Sequence, residues 1–195
     1  MKEFKKSCTN PTIVHFSSSH KPWKEKNLRF YKEWDKYRKI AESKFYDAPA
    51  IKDGTYTISS ALNNNKVLDI SGGSKHNGAN LQLWDRGNNV AAQKFKFIYV
   101  GAGCYEIEAV CSGKLLDVER AGKNRGTNVW QYKRNHTSAQ KWIVKKIGDG
   151  CYSIMSKCNG LCLDVDKSKT ANGTNIQMWE YNGTKAQKFR ISKVK

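Results

Sequence analysis

From Gly54 onward the sequence states one pattern three times. The text GTYTISS, VLDI, NGANLQLW and AAQKFKF runs in order. It recurs as GCYEIEA, LLDV, RGTNVWQY and SAQKWIV, and again as GCYSIMS, CLDV, NGTNIQMW and KAQKFRI. Asp69, Asp117 and Asp164 lie 48 and 47 residues apart, Trp84, Tyr132 and Trp179 repeat those intervals, and Gln93, Gln140 and Gln187 are 47 and 47 apart. A period of this size marks one supersecondary unit copied and packed on itself, because a unit so short cannot bury its apolar face alone.

Within a unit the period is two. Tyr56 and Ile58, Leu68 and Ile70, Leu81 and Leu83, and Phe95 and Phe97 each place apolar side chains on one face, the mark of a half-buried strand. Turn clusters separate them: Asn63-Asn64-Asn65, Ser71-Gly72-Gly73 and Gly87-Asn88-Asn89. Four strands per unit would also suit a propeller blade, but propellers close with about four or more blades. Three units are expected to close as a β-trefoil, which removes open sheet edges. The expected organisation is all-β: a trefoil of three four-stranded repeats over residues 51–195 (repeats at about 51–100, 101–147 and 148–195), with a short N-terminal helical appendage within residues 1–50.

Composition agrees with a small core built from rings, since hydrophobic residues are 38% of the chain and aromatics 11%. The net charge of +18 is spread along the chain: residues 1–50 hold 12 basic and 6 acidic side chains, and the remainder 23 and 11. Such a surface favours anionic partners, although a solvated lysine surface that aids solubility accounts for it as well. No apolar run approaches the length that spans a bilayer, and no signal-type apolar segment follows the basic start. The expected location is the cytoplasm, with the periphery of a membrane as a further place. Cys104 and Cys111, like Cys151 and Cys158, are seven residues apart. That separation is about 23 Å along a strand, beyond disulfide reach. Reduced, buried thiols are expected, with bridges between repeats left open.

The Gln-x-aromatic units (Gln93-Lys94-Phe95, Gln140-Lys141-Trp142, Gln187-Lys188-Phe189), with Leu-Asp-Ile or Leu-Asp-Val upstream, resemble the ricin-type or QxW lectin family over residues 51–195. A sugar offers an apolar C–H face and a rim of hydroxyls, so it calls for an aromatic ring and for carboxylate or amide groups. Each repeat supplies such a set: Asp69, Trp84 and Gln93; Asp117, Tyr132 and Gln140; Asp164, Trp179 and Gln187. The resemblance implies that each Asp accepts bonds from two sugar hydroxyls, that the aromatic stacks on the sugar, and that the Gln braces the Asp from behind. Phe95, Trp142 and Phe189 are expected in the core, and a turn-making role for the Asp residues stands beside the sugar reading. Where the family often carries Asn before the Gln, this chain has Ala92, Ala139 and Ala186. Asn88, Asn135 or Asn182 is then the expected substitute. Trp130 replaces the Gln82 and Gln177 of the other repeats, which ranks the first and third sites above the second. Galactose-type, xylose-type and anionic glycans are the candidate ligands, and three shallow sites on one barrel would gain avidity on a polymer.

Residues 1–50 show no repeat. Asn27 is expected to start a helix whose apolar stripe is Phe30, Trp34, Tyr37 and Ala41, extended by Phe45 and closed before Pro49. Ahead of it, His15-Phe16-Ser17-Ser18-Ser19-His20-Lys21-Pro22-Trp23 resembles the C-terminal motif of glycosyltransferase family 8, His-aromatic-x-Gly-x-x-Lys-Pro-Trp. The resemblance implies a Mn²⁺ ligand at His15 and a nucleotide-sugar diphosphate contact at Lys21, with Ser18 in the place of the family's Gly. No Asp-x-Asp motif or Rossmann-like alternation precedes His15, and Cys8, His15 and His20 make a weak zinc set. The chain is expected to be non-catalytic and to hold no cofactor; Mn²⁺ and nucleotide-sugar would belong to a parent enzyme from which it was truncated or split.

The leading expectation is a non-catalytic lectin module that brings an associated glycosyltransferase catalytic domain to its glycan acceptor. The alternatives are the C-terminal part of a Mn-dependent nucleotide-sugar glycosyltransferase and an electrostatic binder of anionic polymers or nucleic acid. Nucleic acid ranks below carbohydrate, and a steep salt dependence would mark it.

Overall fold

The computed structural model describes residues 49–194. The expected helix, His15, Lys21 and the Cys8 set lie outside the described residues. Those described form twelve strands, four per repeat. The first repeat holds β1 (Gly54–Ser60), β2 (Asn63–Ile70), β3 (Leu81–Asp85) and β4 (Phe95–Tyr99). The second holds β5 (Cys104–Ala109), β6 (Lys114–Val118), β7 (Val129–Tyr132) and β8 (Trp142–Gly148). The third holds β9 (Cys151–Ser156), β10 (Cys162–Val165), β11 (Thr174–Trp179) and β12 (Phe189–Lys193).

The first and last strands of each repeat pair in a ring. β1 pairs β4, β4 pairs β5, β5 pairs β8, β8 pairs β9, β9 pairs β12, and β12 returns to β1. This six-stranded barrel has no free edge of its own. The middle strands form three hairpins, β2–β3, β6–β7 and β10–β11. They cap the barrel and touch one another through Thr174 and Asn175 against Leu83 and Gln82, Asn80 against Trp130, and Asn128 against Gln177. Barrel plus three-hairpin cap is the β-trefoil that the repeats called for.

The core draws the same positions from each repeat. Ile58, Leu68, Leu81, Leu83, Phe95 and Phe97 are wholly buried, as are their counterparts Ile107, Leu116, Trp142, Ile154, Leu163 and Phe189. The aromatic of each Gln-x-aromatic unit therefore points inward, and Trp142 satisfies its indole by donating to the Leu116 carbonyl at 3.1 Å. Truncating any of the three rings would cost about 3–5 kcal/mol through lost transfer energy and the cavity left behind. The barrel is tied off at Ile51, whose N–H donates to the Tyr105 hydroxyl at 2.9 Å while that hydroxyl donates to the Ile51 carbonyl at 3.0 Å. All five described cysteines are free. No helix among the described residues is long and apolar enough to cross a membrane, and they contain no cluster of three metal-ligating side chains.

Candidate carbohydrate sites on three hairpins

Each cap hairpin buries one face against the barrel and turns the other outward. The register then sets Asp69 opposite Gln82, Asp117 opposite Trp130 and Asp164 opposite Gln177. Each Asp accepts a hydrogen bond across the hairpin: from the Gln82 amide at 3.1 Å, the Trp130 indole at 3.0 Å and the Gln177 amide at 3.3 Å. Two residues on, and so on the same face, come Trp84, Tyr132 and Trp179. Trp84 is 41% exposed, and the other two are half-buried. A fixed carboxylate beside an accessible ring thus follows from strand pairing and period two.

All three carboxylates are buried by residue exposure, and burial pushes each above its ordinary value. The amides of Gln82 and Gln93 oppose that shift at Asp69, as do Trp130 and Gln140 at Asp117, and Gln177 and Gln187 at Asp164. Trp130 performs the donor's task of its Gln counterparts, which removes the ground for ranking the second site below the others. It also stacks on Tyr132, with ring centroids 6.1 Å apart and planes 23° from parallel. Asp117, Arg120, Trp130, Tyr132 and Asn135 line a depression of about 360 Å³. Asp69, Trp84, Asp85, Arg86 and Gln93 line another of about 670 Å³ at the first hairpin.

The glutamines do more than brace the Asp. Gln93 accepts from the Gly87 N–H and donates to the Asp85 carbonyl, both at 2.8 Å. Gln140 makes the same pair with Asn135 and Lys133, each at 2.9 Å, and Gln187 with Asn182 and Glu180, each at 2.8 Å. Each glutamine therefore clips shut the loop that follows the aromatic. These bonds also fix the loop alignment and correct the expectation for the asparagines. Gly87, not Asn88, stands where Asn135 and Asn182 stand, because the first loop is one residue longer. Asn135 and Asn182 spend their carbonyl oxygens on the N–H and hydroxyl of Thr137 and Thr184, at 2.8 to 3.1 Å. Ala92, Ala139 and Ala186 are buried in the core cluster.

Two features at the sites were not anticipated from the sequence. After each Asp strand the backbone enters the left-handed region for two residues: Gly72 and Gly73 (φ 62° and 59°), Arg120 and Ala121 (50° and 52°), Lys167 and Ser168 (50° and 54°). The Gly pair of the first repeat was the available signal. Each site also receives a side chain from another repeat. The Asn172 carbonyl oxygen accepts from the Asp85 N–H at 2.8 Å, and the Asn77 oxygen from the Lys133 N–H at 2.9 Å. At the third site Arg125 bonds the Glu180 carboxylate at 2.5 Å and lies 5.8 Å from the centre of the Trp179 ring.

Each of the three cap hairpins of the trefoil thus presents a held carboxylate and a ring. The chain belongs to the ricin-type β-trefoil lectin domain-like family, whose model matches residues 91–179 and 138–194. Membership in this family points to carbohydrate binding. Among solved structures the chain is similar to the designed threefold-symmetric protein ThreeFoil (32% identity, 73% of this chain, 100% of that chain, TM-score 0.70). It is also similar to an exo-β-1,3-galactanase from Clostridium thermocellum (33% identity, 75% of this chain, TM-score 0.69), of which it spans 31%. The ricin B-like lectin of Macrolepiota procera, solved in complex with lactose, shares the fold at 18% identity, with 74% of this chain and 99% of that one covered at a TM-score of 0.64. A search of curated proteins finds no match.

Proposed function

We propose that residues 51–195 form a non-catalytic lectin module that holds galactose-type glycans at Asp69–Trp84, Asp117–Tyr132 and Asp164–Trp179. One observation carries this reading: each hairpin repeats a buried carboxylate, fixed by a cross-strand donor, beside an outward ring. A carboxylate so held has acceptor capacity left for sugar hydroxyls, and the ring offers a face for the sugar's C–H groups. The galactanase and the lactose-bound lectin among the similar structures favour galactose over xylose. The Asp residues belong to separate hairpins, so no acid–base pair forms among them. The motif at His15 and Lys21 supports a parent in which such a module brings a glycosyltransferase to its acceptor.

Calorimetric titration of the full chain with lactose tests the binding claim, alongside the triple variant D69N/D117N/D164N. Asn keeps the shape and the cross-strand bond but removes the charge. Saturable binding that the triple variant loses while keeping its circular dichroism is the expected result. Undiminished binding by that variant would sink the reading.

A further inference from the structure

The three sites differ in charge at two corresponding positions. On the lip formed by the left-handed turn stand Gly72, Arg120 and Lys167. Directly after the aromatic, at the residue whose carbonyl the site glutamine holds, stand Asp85, Lys133 and Glu180. At these positions the first site has an acid, which Lys66 pairs at 2.7 Å, the third has a base and an acid, the latter held by Arg125, and the second has two bases. Arg120 lines the depression that Trp130 and Tyr132 wall. Its side chain is 87% exposed, and its ion partner among the described residues is Glu119, with Nε 4.0 Å from the carboxylate. The first depression also has a guanidinium, but Arg86 is turned to Thr57 and to the Asn64 carbonyl.

Arg120 also holds a left-handed conformation, which it shares with Lys167 of the third site. Its φ of 50° is a conformation that suits glycine, which the first repeat uses there at 62°. A non-glycine residue in this region bears a steric cost, and such costs gather where a side chain is wanted at a ligand site. The stacked rings of Trp130 and Tyr132 add a wider platform than one aromatic alone.

Resting on the carbohydrate reading, we propose that the second site is selective for acidic galactosides. The sugar's carboxylate or sulfate would be taken by Arg120, with Lys133 adding positive potential. The hydroxyls would go to Asp117, and the apolar face to Trp130 and Tyr132. A guanidinium suits such planar or tetrahedral oxyanions because it can donate two hydrogen bonds at once. The first site, with Gly72 on the lip and Asp85 at the edge, takes neutral galactosides.

The test is a site-resolved titration of the full chain, following the indole N–H signals of Trp84 and Trp130 by nuclear magnetic resonance. The probes are lactose, a sulfated lactose and a sialylated lactose; the last two separate sulfate from carboxylate as the source of the charge. At Trp130 either anionic probe is expected to saturate at about fivefold lower concentration than lactose, the scale of one exposed ion pair. The advantage should shrink as salt is raised and be missing at Trp84. R120G installs the glycine that this backbone already accepts in the first repeat. It should bring the ratio at Trp130 close to one, R120K should keep part of it, and R120G/K133D should reverse it. Equal affinities at Trp130, or a preference that survives in R120G, would overturn the selectivity while leaving the lectin reading intact. No response of either indole to any of the three sugars would overturn both.

Discussion

The glutamine clips make a claim about stability that can be separated from sugar binding. Gln140 is wholly buried, and its amide ties the Asn135 N–H to the Lys133 carbonyl across the loop at 2.9 Å each. Gln140→Ala deletes both bonds. Each is worth about 1 kcal/mol, on the low side because both backbone partners sit on an exposed loop that water can reach. The lost methylene adds about 0.8 kcal/mol, for a sum of about 3 kcal/mol. In a domain of this size 1 kcal/mol moves the melting temperature by about 2–4 °C, so the midpoint should fall by roughly 6–12 °C. Urea denaturation followed by tryptophan fluorescence gives the free energy directly, with an unchanged slope showing that the same surface unfolds. Gln187→Ala should cost the same, since Gln187 is equally buried and makes the same two contacts. A loss below about 1 kcal/mol in both variants would refute the clip, and with it the idea that these glutamines serve the fold before the sugar.

Two further outcomes follow from the burial of titratable groups. Asp69, Asp117 and Asp164 have pKa values raised from 3.8 by burial. Lactose affinity is therefore expected to fall on acidification at a pH above the ordinary aspartate value, as the acceptors take up protons. The fold should outlast the binding, because a pKa raised in the folded state means that protonation of these three groups favours folding; their contribution to stability is full below 3.8 and lost as pH rises through the raised values. Binding and circular dichroism followed together from pH 7 downward check the order, and coincident loss would contradict it. Among the thiols, Cys162 is buried and pushed up to about 11. A thiol-specific chromogenic reagent at pH 8 should spare it in the native protein, and its rapid modification there would contradict the fold around β10.

The parts legible in the sequence are those fixed by strand periodicity. Leu81 and Leu83 point inward because Gln82 and Trp84 point outward, so the triplicate pattern gave the barrel, the hairpins, the inward Phe95, Trp142 and Phe189, and the Asp–aromatic faces. What escaped depends on chain closure or on equivalence between unlike residues. Trp130 looked like a lost amide, yet its indole N–H fills the same donor role for Asp117. Asn77, Arg125 and Asn172 reach sites 55 to 87 residues away in sequence, and only closure of the three repeats brings them there. Counted back from Gln93, Asn88 falls opposite Asn135 and Asn182, but one extra residue between Gly87 and Gln93 puts Gly87 in that place instead. The clip bonds that reveal this run between a side chain and a turn, where no periodicity helps.

The most direct measurement is a crystal structure of the full chain soaked with lactose. A pyranose is expected on each cap hairpin, its hydroxyls bonded to Asp69, Asp117 and Asp164 and its apolar face on Trp84, Tyr132 and Trp179. Sugar bound away from these three hairpins, or hairpins left empty at saturating lactose, would contradict the proposed sites.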